Sequence, residues 1–335
     1  MNWQEIQQAA RTKLKGICHV CPQCDGRACA GEVPGIGGIG TGASFQHNVR
    51  SLAGHCLSLR TVHGVQAPQL DCTFLGMSLA LPVLGAPIGG MDINFKGVIS
   101  EADYAAAVIS GCQQAGTVAM TGDGPDPAIF AAGLQQAHLG AFIPVIKPRD
   151  NETIIAMAKA AIQAGAKAFG VDIDAAALVN MTKAGMPVGP KTVADLAYIK
   201  QHTTIPFIVK GIMTVDEAMA CYRAGVDAIV VSNHGGRALD HTPGTAEVLP
   251  YITDVLRGKI TILVDGGVRS GADVLKMLAL GADAVLLGRP LAIAAIGGGA
   301  AGVKILFDKL RAELQAAMIL TGTASVTNVS SEILW

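Results

Sequence analysis

Along this chain an Ala-rich stretch with helical spacing repeatedly gives way to a glycine and then to a short, unbroken apolar run. "AAAVISGCQQAGTVAMTG", "MAKAAIQAGAKAFGVDI", "AMACYRAGVDAIVVSN" and "VLKMLALGADAVLLGR" are four wordings of that phrase. Gly116, Gly165, Gly225 and Gly281 stand where a helix C-terminus needs a left-handed residue before the chain turns into a strand. The unit is helix, cap, buried strand. Further apolar runs, "LPVLGAPIGG", "AFIPVIK", "IPFIVKG" and "ITILVDGG", fill the intervals. The pattern predicts eight strands, near 82–87, 117–121, 141–146, 168–173, 206–210, 227–232, 260–265 and 283–288.

Uniformly apolar strands alternating with helices signify a parallel sheet covered by helices, because both faces of such a sheet are buried. Eight units favour closure into an α/β fold of the TIM barrel type, (β/α)8. An open doubly wound sheet is the alternative, but no dinucleotide-binding glycine fingerprint follows the first strand. Residues 1–80 precede the barrel. They open on an amphipathic helix, "MNWQEIQQAARTKLKG", and continue into a segment rich in Cys and Gly. The expected organisation is therefore an N-terminal capping segment or lid over 1–80 and a barrel over 81–335.

Composition narrows the function classes. Half of the 335 residues are apolar, and 25 basic residues nearly balance 26 acidic ones. There is no basic stripe for nucleic acid and no charge excess of a disordered chain. Gly, Arg289 and Pro290 interrupt the longest apolar windows, so no membrane span is expected, and the N-terminus lacks the apolar core of a secretory signal. A cytoplasmic location follows as an expectation. Of eight cysteines, four crowd into residues 18–29, which favours reduced thiols with a local purpose over a disulfide framework.

In a parallel barrel all strands point the same way, so the residues just past their C-terminal ends converge on one face. Asp172, Lys210, Ser232, Asn233, His234, Asp265, Gly288 and Arg289 all fall at such ends. "VDGGVRSG" (264–271) and "LLGRP" (286–290) combine glycines that admit an anion to the backbone with Arg269 and Arg289, as a phosphate site after the seventh and eighth strands requires. The plainer reading makes these glycines tight turns. His234 is followed by two glycines and, three residues on, by Arg237: an imidazole able to accept a proton beside a guanidinium able to grip a carboxylate. A packed or solvated histidine is the bland alternative. Asp172 is expected to orient the imidazole, and Lys210, at the end of an apolar strand, to face an anion or to pair with Asp172 or Asp265.

With "IPFIVKGI", "VSNHGGRALD" and "VDGGVRSGADVLKMLALGADAVLLGRP" assembled, the chain resembles the FMN-dependent 2-hydroxy acid oxidase and dehydrogenase family, which includes lactate and glycolate oxidases. The resemblance extends over about 80–325 and is most specific over 205–290. It implies a (β/α)8 barrel with FMN at its mouth, a small carboxylate substrate, oxidation of a 2-hydroxy acid to the 2-oxo acid, and a homo-oligomer. It implies that Lys210 stabilises charge on the flavin, that His234 is the base with Asp172 as its partner, and that Arg237 clamps the carboxylate. Asp265, Gly266, Gly267, Arg269, Gly288 and Arg289 would hold the ribityl phosphate. Ser232 and the backbone of Ala86, Pro87, Ile88 and Gly89 would touch the ring. Oxygen or another carrier would reoxidise the flavin.

Three features depart from the family pattern. Its second substrate arginine is missing, with Val179 near that place; its Gln and Tyr on the third strand are missing, with Lys147 or Arg149 as replacements; and its N-terminal tyrosine gives way to the cysteine segment. Arg27 and Arg50 are candidates for the lost clamp. Cys18, Cys21, Cys24 and Cys29, at C-x2-C-x2-C-x4-C spacing, are candidate ligands of zinc or an iron–sulfur cluster, against a redox pair or plain thiols in a lid. Two other function classes stay open: an FMN-dependent isomerase or reductase of the type 2 isopentenyl diphosphate isomerase kind, and a non-catalytic flavin or metal sensor. The intact His234, Arg237, Lys210 and Asp172 favour the oxidoreductase.

Overall fold

The computed structural model describes all 335 residues. An antiparallel hairpin, β1 (Cys72–Phe74) and β2 (Met77–Leu79), precedes eight parallel strands. These are β3 (Val83–Gly85), β4 (Ala119–Thr121), β5 (Phe142–Ile146), β6 (Phe169–Asp172), β7 (Phe207–Ile212), β8 (Ala228–Val231), β9 (Thr261–Val264) and β10 (Ala284–Leu287). They pair in sequence order, and β10 closes onto β3. The (β/α)8 barrel expected from the sequence is therefore present. Seven strands lie inside the expected ranges, and β7 runs on to Ile212. Gly116, Gly165, Gly225 and Gly281 all take positive φ at the helix ends, where a side chain would be strained.

Alternate strand residues fill the barrel. Leu84, Met120, Ile143, Val145, Ile208, Val230, Leu263 and Leu286 form one buried cluster, and the hairpin contributes Phe74 and Leu79 to it. The hairpin thereby plugs the end opposite the active face. The other strand faces join a second, larger core with the surrounding helices.

Residues 1–80 contribute at more than one place. A helix at Trp3–Lys13, started by a capping box between Asn2 and Glu5, packs so closely on the last barrel helix that a Cβ on Gly297 would lie 2.3 Å from the Ile6 carbonyl oxygen. A second helix, Ala43–Gly54, is tied to the barrel mouth by Asn48. Its amide donates to Asn233 Oδ1 at 2.7 Å, and its carbonyl accepts from the Thr245 backbone at 3.1 Å. Asp240 secures the start of that helix through the backbone and hydroxyl of Thr41, at 2.6 and 2.8 Å.

The final helix differs from the sequence expectation. Arg289–Thr321 is long and apolar enough to cross a membrane by length and composition, yet it breaks at Gly299 and 67% of its most apolar window is buried within the protein. Burial against the core accounts for its apolar character.

Candidate active site

Strand pairing sets the first contact. Asp172 and Lys210 are register partners on β6 and β7, and Lys210 Nζ lies 3.0 Å from Asp172 Oδ1. Lys147, one residue past β5, reaches the other carboxylate oxygen at 2.6 Å. All three are buried. Burial alone would raise the Asp172 carboxyl, but His234, Lys147 and Lys210 outweigh it and hold it well below the usual range. Lys210 is also desolvated, yet Asp172, Asp174 and Asp265 keep it firmly protonated.

Beyond Lys210 the β7–β8 register slips, with Gly211 as the extra residue at a φ of +108°. The bulge makes room for Asp174, because a Cβ on Gly211 would lie 2.6 Å from the Asp174 side chain. Asp174 sits in the single turn Ile173–Ala175 after β6. Its Oδ1 is 2.8 Å from His234 Nδ1, while Asp172 Oδ1 is 3.5 Å away. The sequence reading made Asp172 the partner of the histidine; the structure gives that contact to Asp174, because two lysines already engage Asp172. Burial and the adjacent Asp172 raise the Asp174 carboxyl, and its Oδ2 has no hydrogen-bond partner. Ligand atoms of Asp172, Asp174 and His234 lie within 4.8 Å of one another, a grouping able to hold a metal ion. The ammonium groups of Lys147 and Lys210 already bring positive charge to its carboxylates.

His234 begins a run of three left-handed residues, with φ of 58°, 63° and 76° through Gly236. Only glycine is tolerated at the third, where a Cβ would meet the Phe45 backbone nitrogen at 2.3 Å. The turn answers why a β-branched strand breaks into His-Gly-Gly-Arg: it lifts the imidazole over the barrel mouth and carries the chain under the helix of the N-terminal segment. Ser232 was expected at the flavin ring, but it does not line the cavity. Its hydroxyl donates to Asp265 Oδ2 at 2.9 Å and accepts from the His234 backbone at 3.1 Å, so it positions both.

A cavity opens at this face. It is lined by Ala86, Pro87, Ile88 and Gly89 after β3, by Asp265, Gly266, Gly267 and Arg269 after β9, and by Gly288 and Arg289 after β10, together with Lys210, His234 and Arg237. Asp172 lines it as well, so every residue assigned as base, carboxylate clamp or flavin contact, Ser232 excepted, is on its wall. Asp265 is raised by burial, its Oδ1 has no partner, and Nε of Arg269 is likewise buried and unpaired.

The arginines are desolvated and face loop carbonyls. Arg289 donates to Ile36, Gly235 and Gly37 at 2.8, 3.0 and 2.9 Å and lies 3.6 Å above the Phe45 ring. Burial, reinforced by Arg237, pushes its pKa down to about 9. Arg237, pushed down to about 10 by burial, donates to the Gly35 carbonyl and, at 3.0 Å, to Asn94 Oδ1. The Gly-rich segment thus covers the mouth, as a lid would.

Of the candidate replacements, Lys147 lines the cavity and Arg149 does not; Arg149 is buried against Asp123 and the Gly124 carbonyl. Arg27 and Arg50 are exposed and outside the cavity, so neither replaces the missing clamp. Val179 opens a short helix whose neighbours Leu178, Asn180 and Met181 line the wall instead. Asp174, Asn94 and Asn180 were absent from the sequence reading. The one usable signal was the second acid of "VDID", two residues past the strand.

Comparison with known proteins matches residues 36–191 and 182–335 to the family model described as FMN-dependent dehydrogenase. A 2-hydroxyacid oxidase of Dictyostelium discoideum is 48% identical over 141 residues, 42% of this chain and 36% of that protein. An L-lactate dehydrogenase of Xanthomonas campestris pv. campestris is 50% identical over 140 residues, with the same coverage of each chain. The match thus spans little more than a third of these curated relatives. A crystal structure of mandelate oxidase with (S)-2-phenylpropionate superposes with a TM-score of 0.78 at 28% identity, covering 100% of this chain and 97% of that one.

Proposed function

We propose that this chain, which belongs to the FMN-dependent dehydrogenase family, oxidises a 2-hydroxy acid to the corresponding 2-oxo acid. The observation that carries the reading is His234 facing the cavity with Nδ1 bound to Asp174, on the same wall as Arg237 and Lys210. The site fits the cofactor. The unpaired Nε of Arg269 and the half-buried Arg289 answer a phosphate, and the buried side chain of Lys210 answers an electron-rich ring. The bound flavin supplies the acceptor for the two electrons that leave the substrate carbon.

The protein's own residues do the rest. Arg237 retains N–H donors beyond those given to Gly35 and Asn94, and with them it orients the substrate carboxylate. Nδ1 is engaged, so Nε2 is the atom of His234 that takes the substrate proton. Asp174 fixes the ring and, with Asp172, stabilises the imidazolium that results. The covering Gly35–Gly37 segment excludes water from the mouth.

We further propose that Cys18, Cys21, Cys24 and Cys29 bind zinc or an iron–sulfur cluster, supported by their shared place around one cavity. A reducing, cytoplasmic setting agrees with eight free thiols. The test is anaerobic: purified protein with FMN bound is titrated with a panel of 2-hydroxy acids of increasing side-chain size. Bleaching of the oxidised flavin band by at least one supports the reading. A flavin that none of them reduces overturns it.

A further inference from the structure

A second cavity lies beside the first and is open to solvent. Its wall carries all four clustered cysteines, and it shares Ile36, Gly267, Arg269 and Arg289 with the flavin cavity. Each of the four thiols is partly buried, neither packed in the core nor free on the surface. Thiols in a mere lid have no reason to converge on one cavity.

From these features we infer that Cys18, Cys21, Cys24 and Cys29 ligate a [4Fe–4S] cluster at the phosphate end of the flavin site. Two observations choose the cluster over a single zinc ion. Two successive C-x2-C steps are the spacing of ferredoxin-type iron–sulfur loops, whereas structural zinc sites use cysteine pairs separated by a long connection. A zinc ion with bonds of about 2.3 Å draws its sulfurs to within roughly 3.8 Å of one another. No three of the four thiols lie within 4.8 Å of one another; the side chains that do so are Asp172, Asp174 and His234. Four cysteine side chains on the wall of one cavity suit a cubane that places its own iron and sulfide between them.

The surroundings are those such a cluster needs. Amide and guanidinium N–H groups already point at the sulfurs: the Val20 backbone reaches Cys18 Sγ at 3.4 Å, and Arg269 Nη2 reaches Cys24 Sγ at 3.6 Å. N–H donors to sulfur are what tune and hold such centres. Val20, a β-branched residue, takes a φ of +44° to present that amide, a conformation that costs energy unless the surrounding structure enforces it. Arg269, Arg289, Lys276 and Lys309 on the wall outnumber Asp25 and Asp273, which offsets the negative charge of a thiolate-bound cluster.

The experiment uses the full chain, purified anaerobically and, in parallel, reconstituted with ferrous iron and sulfide. Iron, acid-labile sulfide, zinc and FMN are measured on the same sample, and the electron paramagnetic resonance spectrum is recorded after dithionite reduction. About four iron and four sulfide per chain, with a cluster signal on reduction, is the expected result. Cys21→Ser and Cys24→Ser should lose most of the iron while retaining FMN, and Cys56→Ser, at an exposed cysteine outside the group, should lose none. Stoichiometric zinc in place of iron overturns the inference. So does wild-type protein that takes up no iron on reconstitution, or iron retained in full by both ligand variants. FMN without iron sinks the cluster alone, whereas iron without FMN sinks the flavin reading and leaves the cluster standing.

Discussion

His234 Nδ1 lies 2.8 Å from Asp174 Oδ1, whereas Asp172, the acid at the strand end, is 0.7 Å further from it (3.5 − 2.8) and engaged by two lysines. The two carboxylates thus divide the work. Asp172 is a fixed counter-charge for Lys147 and Lys210, and Asp174 holds the imidazole. Asp174→Asn is therefore expected to lower kcat by about 10²- to 10⁴-fold, since the amide no longer enforces the tautomer with Nε2 free. Asp172→Asn should disturb stability more than Asp174→Asn does. Single-turnover flavin reduction, with FMN content as the control, checks the first claim, and urea unfolding the second.

The pH dependence of stability follows from the same cluster. The folded pKa of Asp172 lies below that of the unfolded chain. Its contribution is then complete above the unfolded value, about 3.9, and is lost as pH falls through the lower folded value. Asp174 and Asp265 are raised, so what they contribute is present below their unfolded values and lost as pH rises through their folded ones. Wild-type protein should lose stability in acid more steeply than Asp172→Asn. Equal slopes in denaturant titrations between pH 5 and pH 3 would show that Asp172 is not held low (window set by the unfolded value, about 3.9).

Much of this was legible in the sequence because barrel physics is periodic. Unbroken apolar strands and glycine caps repeat, so all eight strands could be placed, and the polar residues at their ends mapped to one face. The pairing within that face was not legible. Whether Asp172 or Asp174 meets His234 depends on a bulge at Gly211, and a bulge leaves no periodic trace. Asn94 and Asn180 were missed for a related reason: they sit on short helices between units, where an amide is an ordinary surface residue until the fold turns it inward. Arg27 and Arg50 failed in the opposite direction, since charge and proximity in sequence to the lid gave no information about which side of it they occupy.

Anion binding should depend on the desolvated arginines unequally. Arg269 gives Nη1 and Nη2 to the Val268 and Cys24 carbonyls at 2.8 and 3.1 Å but keeps a buried Nε with no partner, so a phosphate satisfies a donor that the protein leaves unpaired. Arg289 already spends three donors on loop carbonyls and stacks on Phe45. Arg269→Met should weaken FMN binding by about 10- to 100-fold, the worth of one or two charge-assisted hydrogen bonds. Arg289→Met should weaken FMN and also loosen the covering segment, detected as faster proteolysis near Gly35–Gly37. Equal effects of both variants on FMN affinity and on proteolysis would contradict this division.

The left-handed turn after His234 makes the last test, because it separates backbone strain from collision. Gly236 has a φ of +76°, and a Cβ there would stand 2.3 Å from the Phe45 nitrogen, a backbone atom that cannot swing aside. Gly165 has a comparable φ of +90° with nothing within 4 Å. Gly165→Ala therefore pays only for the conformation, about 1 kcal/mol. Gly236→Ala pays the same and must also push the Ala43–Gly54 helix off the barrel mouth, so its loss should exceed that of Gly165→Ala by at least about 2 kcal/mol. Since that helix carries Phe45 under Arg289 and Asn48 against Asn233, the variant should also bind FMN more weakly, while Gly165→Ala binds it normally. Urea unfolding and flavin titration of the pair decide it: similar losses in both would mean that the turn is strained but not clamped by the N-terminal segment.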